Sequence, residues 1–146
     1  MKKIRNGMFE TNSSSSHSII LNKGRITDKL NPDKYGILKI YPDEFGWDIM
    51  DYTDAYTKAS YCLTYAKQAK NKKWENMLRK VLLRHTQAKE VEFIQDNNNM
   101  YPWGYIDHQS GPEEMGACTP IFNSESDLAN FIFNPECILH TDNDNH

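Results

Sequence analysis

Two stretches in the middle of the chain place apolar residues at the spacing of an α-helix. Small apolar residues recur from Asp54, a favourable N-cap, to about Ala69. From Trp74 to His85, the apolar positions follow the i, i+3, i+4, i+7 pattern of a helix with one buried face. Only the polar residues 71–73 separate the two stretches, so the pattern predicts an antiparallel helical hairpin packed on a sheet.

A third, shorter helix is predicted near the C-terminus. Ser124 can cap it, residues 125–133 give it an apolar face, and Asn134-Pro135 ends it. Strand-like runs, short and rich in apolar residues, lie on both sides of the helices. They cover residues 4–9, 18–21, 37–41, 90–95, 105–110 and 137–140.

These elements predict an α+β fold with a mostly antiparallel sheet, and with the helical hairpin and the short C-terminal helix packed on one face. The 146 residues are about enough for one domain, so we expect residues 1–146 to form a single domain with an exposed tail at 141–146. Between the elements, residues 43–48 form an aromatic and acidic segment. We expect its aromatic side chains to pack on the core and its carboxylates to be solvated.

Composition narrows the class of protein. Aromatic residues make up 12% of the chain, too many for a disordered protein, and the net charge of −3 provides no basic field for nucleic acid. The three cysteines are widely spaced and form no Cys-x-x-Cys pair, which fits a reducing cytoplasm. No run of 18 apolar residues is present, so no membrane partner is expected and nucleic acid is an unlikely one.

The most unusual segment lies near the N-terminus, where four consecutive serines stand between a carboxylate and an imidazole. Small polar residues contribute little to a core, so this position indicates a use for their polar groups. Further polar groups beside strand-like sequence are Asp107, His108, His140 and Asp142. The candidate ligand-binding residues are Glu10, Ser13, Ser14, Ser15, Ser16, His17, Asp107 and His108.

The same N-terminal segment, residues 3–18, resembles the N-terminus of a group of small uncharacterised proteins from bacteriophages and bacterial genomes. Residues 43–47, 58–61, 105–110 and 131–135 are similar to further blocks of that group. The resemblance implies a phage or mobile-element origin, and with it the cytoplasm of the host cell. No activity is established for the group, so the resemblance supplies no catalytic residues.

If these polar groups converge, two kinds of reactive site are open to them. A divalent metal could be held by His17, His108 and His140 with nearby carboxylates, although their spacing matches no known metal motif. A metal-free hydrolase of phosphoesters could use His17 or His108 as general base, oriented by Asp107 or Glu10, with one of the four serines as nucleophile. No serine-hydrolase motif surrounds these serines.

A binding site fits the serine run better than a catalytic one. Successive hydroxyls and backbone amides in a bent segment can hold a phosphate, which would suit a phosphorylated or nucleotide-like small molecule. Alternatively, the chain covers a host protein, with aromatic anchors and acidic segments such as residues 43–48 meeting a basic surface. The sequence therefore predicts a small binding protein, with the phosphoester hydrolase as its alternative.

Overall fold

The structure of the chain, a computed structural model, describes residues 2–5, 15–46, 48–106 and 119–143. For residues 2–5, 15, 16, 119 and 143 the description covers the backbone. Within these ranges the chain forms eight strands, three α-helices and one 3-10 helix. In chain order they are β1 (Lys2–Arg5), β2 (Ser15–Leu21), β3 (Ile37–Ile40), β4 (Glu44–Phe45), β5 (Met50–Tyr52), α1 (Ala55–Gln68), α2 (Lys72–His85), β6 (Glu90–Phe93), β7 (Tyr105–Ile106), the 3-10 helix (Thr119–Asn123), α3 (Glu125–Phe133) and β8 (Ile138–Asn143).

The largest sheet is antiparallel and has the strand order β1-β2-β8-β5. Its central pairing places Ser18 opposite His140 and His17 opposite Thr141. Since successive side chains of a strand point to opposite faces, His17 shares a face with Thr141 and with Ile19. All three are buried. This face meets the helices, and the predicted α+β class with a mostly antiparallel main sheet is confirmed.

Two further strand pairs are parallel, which the sequence did not predict. β3 pairs with β6, and β4 pairs with β7. Parallel neighbours need a long crossover connection, and here both connections run through the α1–α2 hairpin. The hairpin therefore forms part of the connection between the two strands of each small parallel sheet, besides covering the main sheet.

Local sequence explains where the helices begin. The side chain of Asp54 accepts a hydrogen bond from the Thr57 amide at 2.8 Å, and Ser124 accepts one from the Asp127 amide at 3.0 Å. These are N-cap bonds, which satisfy backbone donors that have no partner within the helix. The predicted caps and the predicted helical hairpin are confirmed.

A buried lysine connects α1 to the end of α3. Lys58 is fully buried, and its Nζ donates to the carbonyl oxygens of Asn134 at 2.9 Å and Cys137 at 3.0 Å. Nζ also lies 5.6 Å from the centre of the Phe131 ring. Burial lowers the pKa of the Lys58 ammonium from 10.5 to about 8, because the charged form has lost most of its hydration.

The sequence prediction was wrong at the C-terminus and incomplete elsewhere. The exposed tail was expected from Thr141, but β8 continues to Asn143, and Thr141 is 2% exposed because it pairs with β2. Residues 144–146 lie outside the described residues. β2 begins at Ser15, three residues before the predicted strand, and β5 was not predicted at all. Within the described part of the chain, every helix is too short or too polar to span a bilayer.

Candidate functional site

Much of the predicted serine-rich site lies outside the described residues. This applies to Glu10, Ser13, Ser14, Asp107 and His108. Ser15 and Ser16 are the first residues of β2, and their backbones pair with Asn143 and Asp142 of β8. Half of the four-serine run, Ser15 and Ser16, is therefore extended strand.

His17, the imidazole next to the serine run, is fully buried and makes internal hydrogen bonds. Its Nε2 lies 3.0 Å from the carbonyl oxygen of Gly46, and its Nδ1 lies 3.0 Å from the hydroxyl of Tyr61. A carbonyl oxygen can only accept, so Nε2 carries the proton and donates, and Nδ1 accepts from the Tyr61 hydroxyl. Both nitrogens of His17 thus hold β2 against α1 and the segment after β4.

His140 lies on the other face of the main sheet between two carboxylates. Its Nδ1 is 2.6 Å from an oxygen of Asp51, and its Nε2 is 3.4 Å from an oxygen of Asp142. The side chain of His140 is 28% exposed, far more than that of His17. Since each nitrogen faces a carboxylate, neither is placed to take a proton from a serine hydroxyl.

The register of β2 and β8 keeps these two histidines apart. Ser18, the residue after His17, is the one directly opposite His140. His17 and His140 therefore point to opposite faces, and the structure does not bring them together as ligands of one metal. Within the residues that the structure describes, no group of three or more His, Cys, Asp and Glu side chains is arranged to hold a metal ion.

Aromatic side chains that could stack on the base of a nucleotide-like ligand already have partners. Trp103 lies beneath the ammonium of Lys67, with 3.8 Å from Nζ to the ring centre. Tyr101 stacks on Tyr105 with ring centres 4.8 Å apart. Trp47 lies outside the described residues. Trp103 and Tyr101 thus stabilise the segment that leads into β7.

The described part of the chain instead displays a run of exposed carboxylates. Between Lys39 and Lys58 the sequence contains five carboxylates and no lysine or arginine. All five are exposed, and within the described residues none of them pairs with a lysine or an arginine. We call the following residues the acidic surface: Asp43, Glu44, Asp48, Asp51 and Asp54.

The phenol of Tyr52 lies near three of these five charges. Burial, followed by the charges of Asp48, Asp43 and Asp54, raises the pKa of Tyr52 above its ordinary value of 10.0. A phenolate at this position would be repelled by three carboxylates. Asp43 lies just before β4, Asp48 lies before β5, and Asp54 is the N-cap of α1. The fold therefore gathers charges from three local elements around one side chain.

Apolar side chains are exposed within the acidic surface. Ile49 is 56% exposed and Met50 is 47% exposed, and both lie between Asp48 and Asp51. The predicted exposure of the carboxylates in segment 43–48 and the predicted burial of Phe45 are confirmed. The extension to Asp54 was not predicted, although the absence of any basic residue from 40 to 57 was a readable signal.

The β4–β7 pairing supports this surface from behind. Asn99 donates from Nδ2 to Glu44 at 3.3 Å, and the Asp43 amide donates to the hydroxyl of Thr64 in α1 at 3.1 Å. The acidic segment is thus held on the α1 helix and on the loop before β7.

Comparison of the chain with models of protein families, with curated proteins and with solved structures found no match.

Proposed function

We propose that this chain is a binding protein that contacts a basic protein surface through the acidic surface. One observation carries the proposal: five exposed carboxylates without a lysine or arginine partner in the described part of the chain lie before and after two exposed apolar residues in the sequence. If the chain has the phage-type origin that its N-terminus suggests, the partner is a protein of the host cell.

The two chemical components of the surface have different roles in binding. Exposed carboxylates attract a basic partner over roughly the 10 Å Debye length of 0.1 M salt, which raises the association rate more than the affinity. Each exposed ion pair then contributes only about 0.2–1 kcal/mol. Ile49 and Met50 supply apolar area that is removed from water on contact, at about 25 cal/mol per Å². Charge therefore provides orientation, and the apolar pair provides much of the residence time.

The internal bonds of His17 favour this function over a small-molecule site or a hydrolase centred on that residue. A buried ring with both nitrogens in intramolecular hydrogen bonds has no vacant position for a ligand, metal or substrate. The acidic surface needs no rearrangement to meet a partner.

The experiment compares two variants that each lose three negative charges. The test variant carries Asp43→Asn, Glu44→Gln and Asp48→Asn, which retain the hydrogen-bond acceptors on the acidic surface. The control variant carries Asp33→Asn, Asp127→Asn and Glu136→Gln, three exposed positions elsewhere. Each protein is immobilised and exposed to bacterial lysate, and the retained proteins are quantified by mass spectrometry after circular dichroism has verified folding.

We expect the wild type and the control variant to retain the same basic protein in stoichiometric amount, and the test variant to lose it. Binding of that protein, once purified, should weaken steeply with salt because the attraction is between exposed charges. Retention of the same protein by the test variant, or of none by the wild type, would contradict the proposal.

A further inference from the structure

The outer edge of β6 carries main-chain groups that have no partner among the described residues. In a parallel pair, alternate residues of a strand bond to the neighbour, and the residues between them face away from it. The Glu90 amide donates to Gly36 and the Ile94 amide donates to Ile40, so the even-numbered residues face β3. Val91 and Phe93 therefore direct their N–H and C=O groups toward the other edge. Within the described residues, β6 has β3 as its single neighbour.

The opposite edge of this small sheet is occupied at Ile37 and Tyr41 by groups of the chain itself. On β3, the Ile37 carbonyl accepts from the Asp33 amide at 2.8 Å, and the Ile37 amide donates to the Asp33 carboxylate at 3.0 Å. The Tyr41 amide, further along, donates to the hydroxyl of Tyr56 at 3.1 Å. The fold thus blocks one edge of the sheet with its own side chains and leaves the other as a template for pairing.

A groove runs along the open edge. It has a volume of about 510 Å³ and lies between β6 and the exposed face of α2. Leu83 of α2 is 37% exposed in it, and the guanidinium of Arg79 lies over the ring of Phe93 at 4.5 Å. Val91, Phe93 and Leu83 thus give the groove apolar surface, and Arg79 and Lys89 also line it.

The other face of β6 is acidic. Glu90 and Glu92 alternate with Val91 and Phe93, so both carboxylates lie on the same face of the strand. A segment paired with β6 would meet carboxylates at every second residue and apolar side chains at the residues between. Its complement alternates basic and apolar residues.

We infer that β6 binds an extended segment of another protein, which adds a third strand to the β3–β6 sheet and alternates lysine or arginine with apolar residues. A second copy of this chain is a poor occupant. In a two-fold antiparallel pairing residues of the same face meet, so Glu90 and Glu92 of one copy would lie against those of the other. This site is separate from the acidic surface and does not depend on the proposed function.

The test uses the full chain and three synthetic peptides. The first is acetyl-Thr-Lys-Val-Lys-Val-Lys-Thr-amide, the second is the same peptide with both valine amides N-methylated, and the third replaces its lysines with glutamates. In an antiparallel pairing the two valine amides face β6, and N-methylation removes these main-chain donors but leaves charge and side chains unchanged. Binding is followed by fluorescence anisotropy, and hydrogen exchange is followed residue by residue by NMR.

We expect the first peptide to bind, N-methylation to weaken binding about tenfold or more, and exchange of the Val91 and Phe93 amides to slow by a similar factor. The variant with Glu90→Lys and Glu92→Lys should prefer the glutamate peptide. The variant with Asp43→Asn, Glu44→Gln and Asp48→Asn should bind the lysine peptide within about twofold of the wild type.

Lack of binding by the lysine peptide would overturn the inference outright, and two further results would overturn it if that peptide binds. One is equal binding of the N-methylated peptide, with no slower exchange at Val91 and Phe93. The other is loss of peptide binding when the acidic surface is neutralised, which would place the peptide there and would support the proposed function instead. Absence of peptide binding leaves the proposed function untouched, because that function is tested by capture on the acidic surface.

Discussion

Replacing Lys58 with methionine should change how the stability of the protein depends on pH. Lys58 is fully buried, and burial lowers its pKa from 10.5 to about 8. Between these two pH values the unfolded chain binds a proton that the folded chain has released, so the free energy of unfolding rises with pH in this window. Below pH 8 the ammonium is charged in both states, and the full cost of burying it opposes folding.

The size of the effect follows from the displacement of the pKa. One pKa unit corresponds to about 1.4 kcal/mol, so the wild type should gain about 2–3 kcal/mol relative to the methionine variant between pH 7.5 and 10. The neutral amine keeps two protons, enough to donate to both carbonyl oxygens that Nζ reaches, Asn134 and Cys137. Deprotonation therefore removes the buried charge without removing these bonds.

The assay is urea unfolding followed by tryptophan fluorescence at several pH values from 7 to 10. The quantity of interest is the difference between Lys58→Met and the wild type, since other titrating groups cancel in it. Lys72→Met is the matched control, because that side chain is 83% exposed. Parallel pH profiles for the wild type and Lys58→Met would refute the reasoning, since they would mean that the ammonium is hydrated in the folded protein.

Three further substitutions test the structure. His17→Ala should lower the free energy of unfolding by about 3 kcal/mol, because it opens a cavity and leaves two buried hydrogen-bonding groups unpaired. His140→Ala, measured in the same urea titration, should lower it by less than about 1 kcal/mol. Equal effects would contradict the assignment of His17 to the core. Lys70 has φ of +55° just after α1, so Lys70→Gly should stabilise the protein by about 0.5–1 kcal/mol and raise its melting temperature. A melting temperature below that of the wild type would contradict the left-handed turn. Gly104 has φ of +75° and a Cβ there would collide with neighbouring main chain, so Gly104→Ala should lower the free energy of unfolding by about 2 kcal/mol or more. Gly46→Ala, with open space around it, should have little effect. Similar urea midpoints for both variants would count against the close approach at Gly104.

Sequence patterns determined the local elements of this protein. The helical spacing from Trp74 to His85, the caps at Asp54 and Ser124 and the strand at 37–40 depend on residues within a few positions of one another. Such features are written in adjacent residues, and their interactions form within one turn or one strand. The exposed carboxylates of residues 43–48 were predicted for the same reason, because a run of acidic groups has no local partner to bury it.

Tertiary structure decided which residues face each other. The parallel pairing of β4 with β7 joins segments on either side of the helical hairpin, and neither segment encodes its partner. The register of β2 against β8 sends His17 into the core and His140 to the other face, and a shift of β2 by one residue would place both on the same face. Side-chain type therefore fixed which chemistry was available, whereas the pairing of strands distant in sequence fixed which groups could meet, because register is set by packing across the whole sheet.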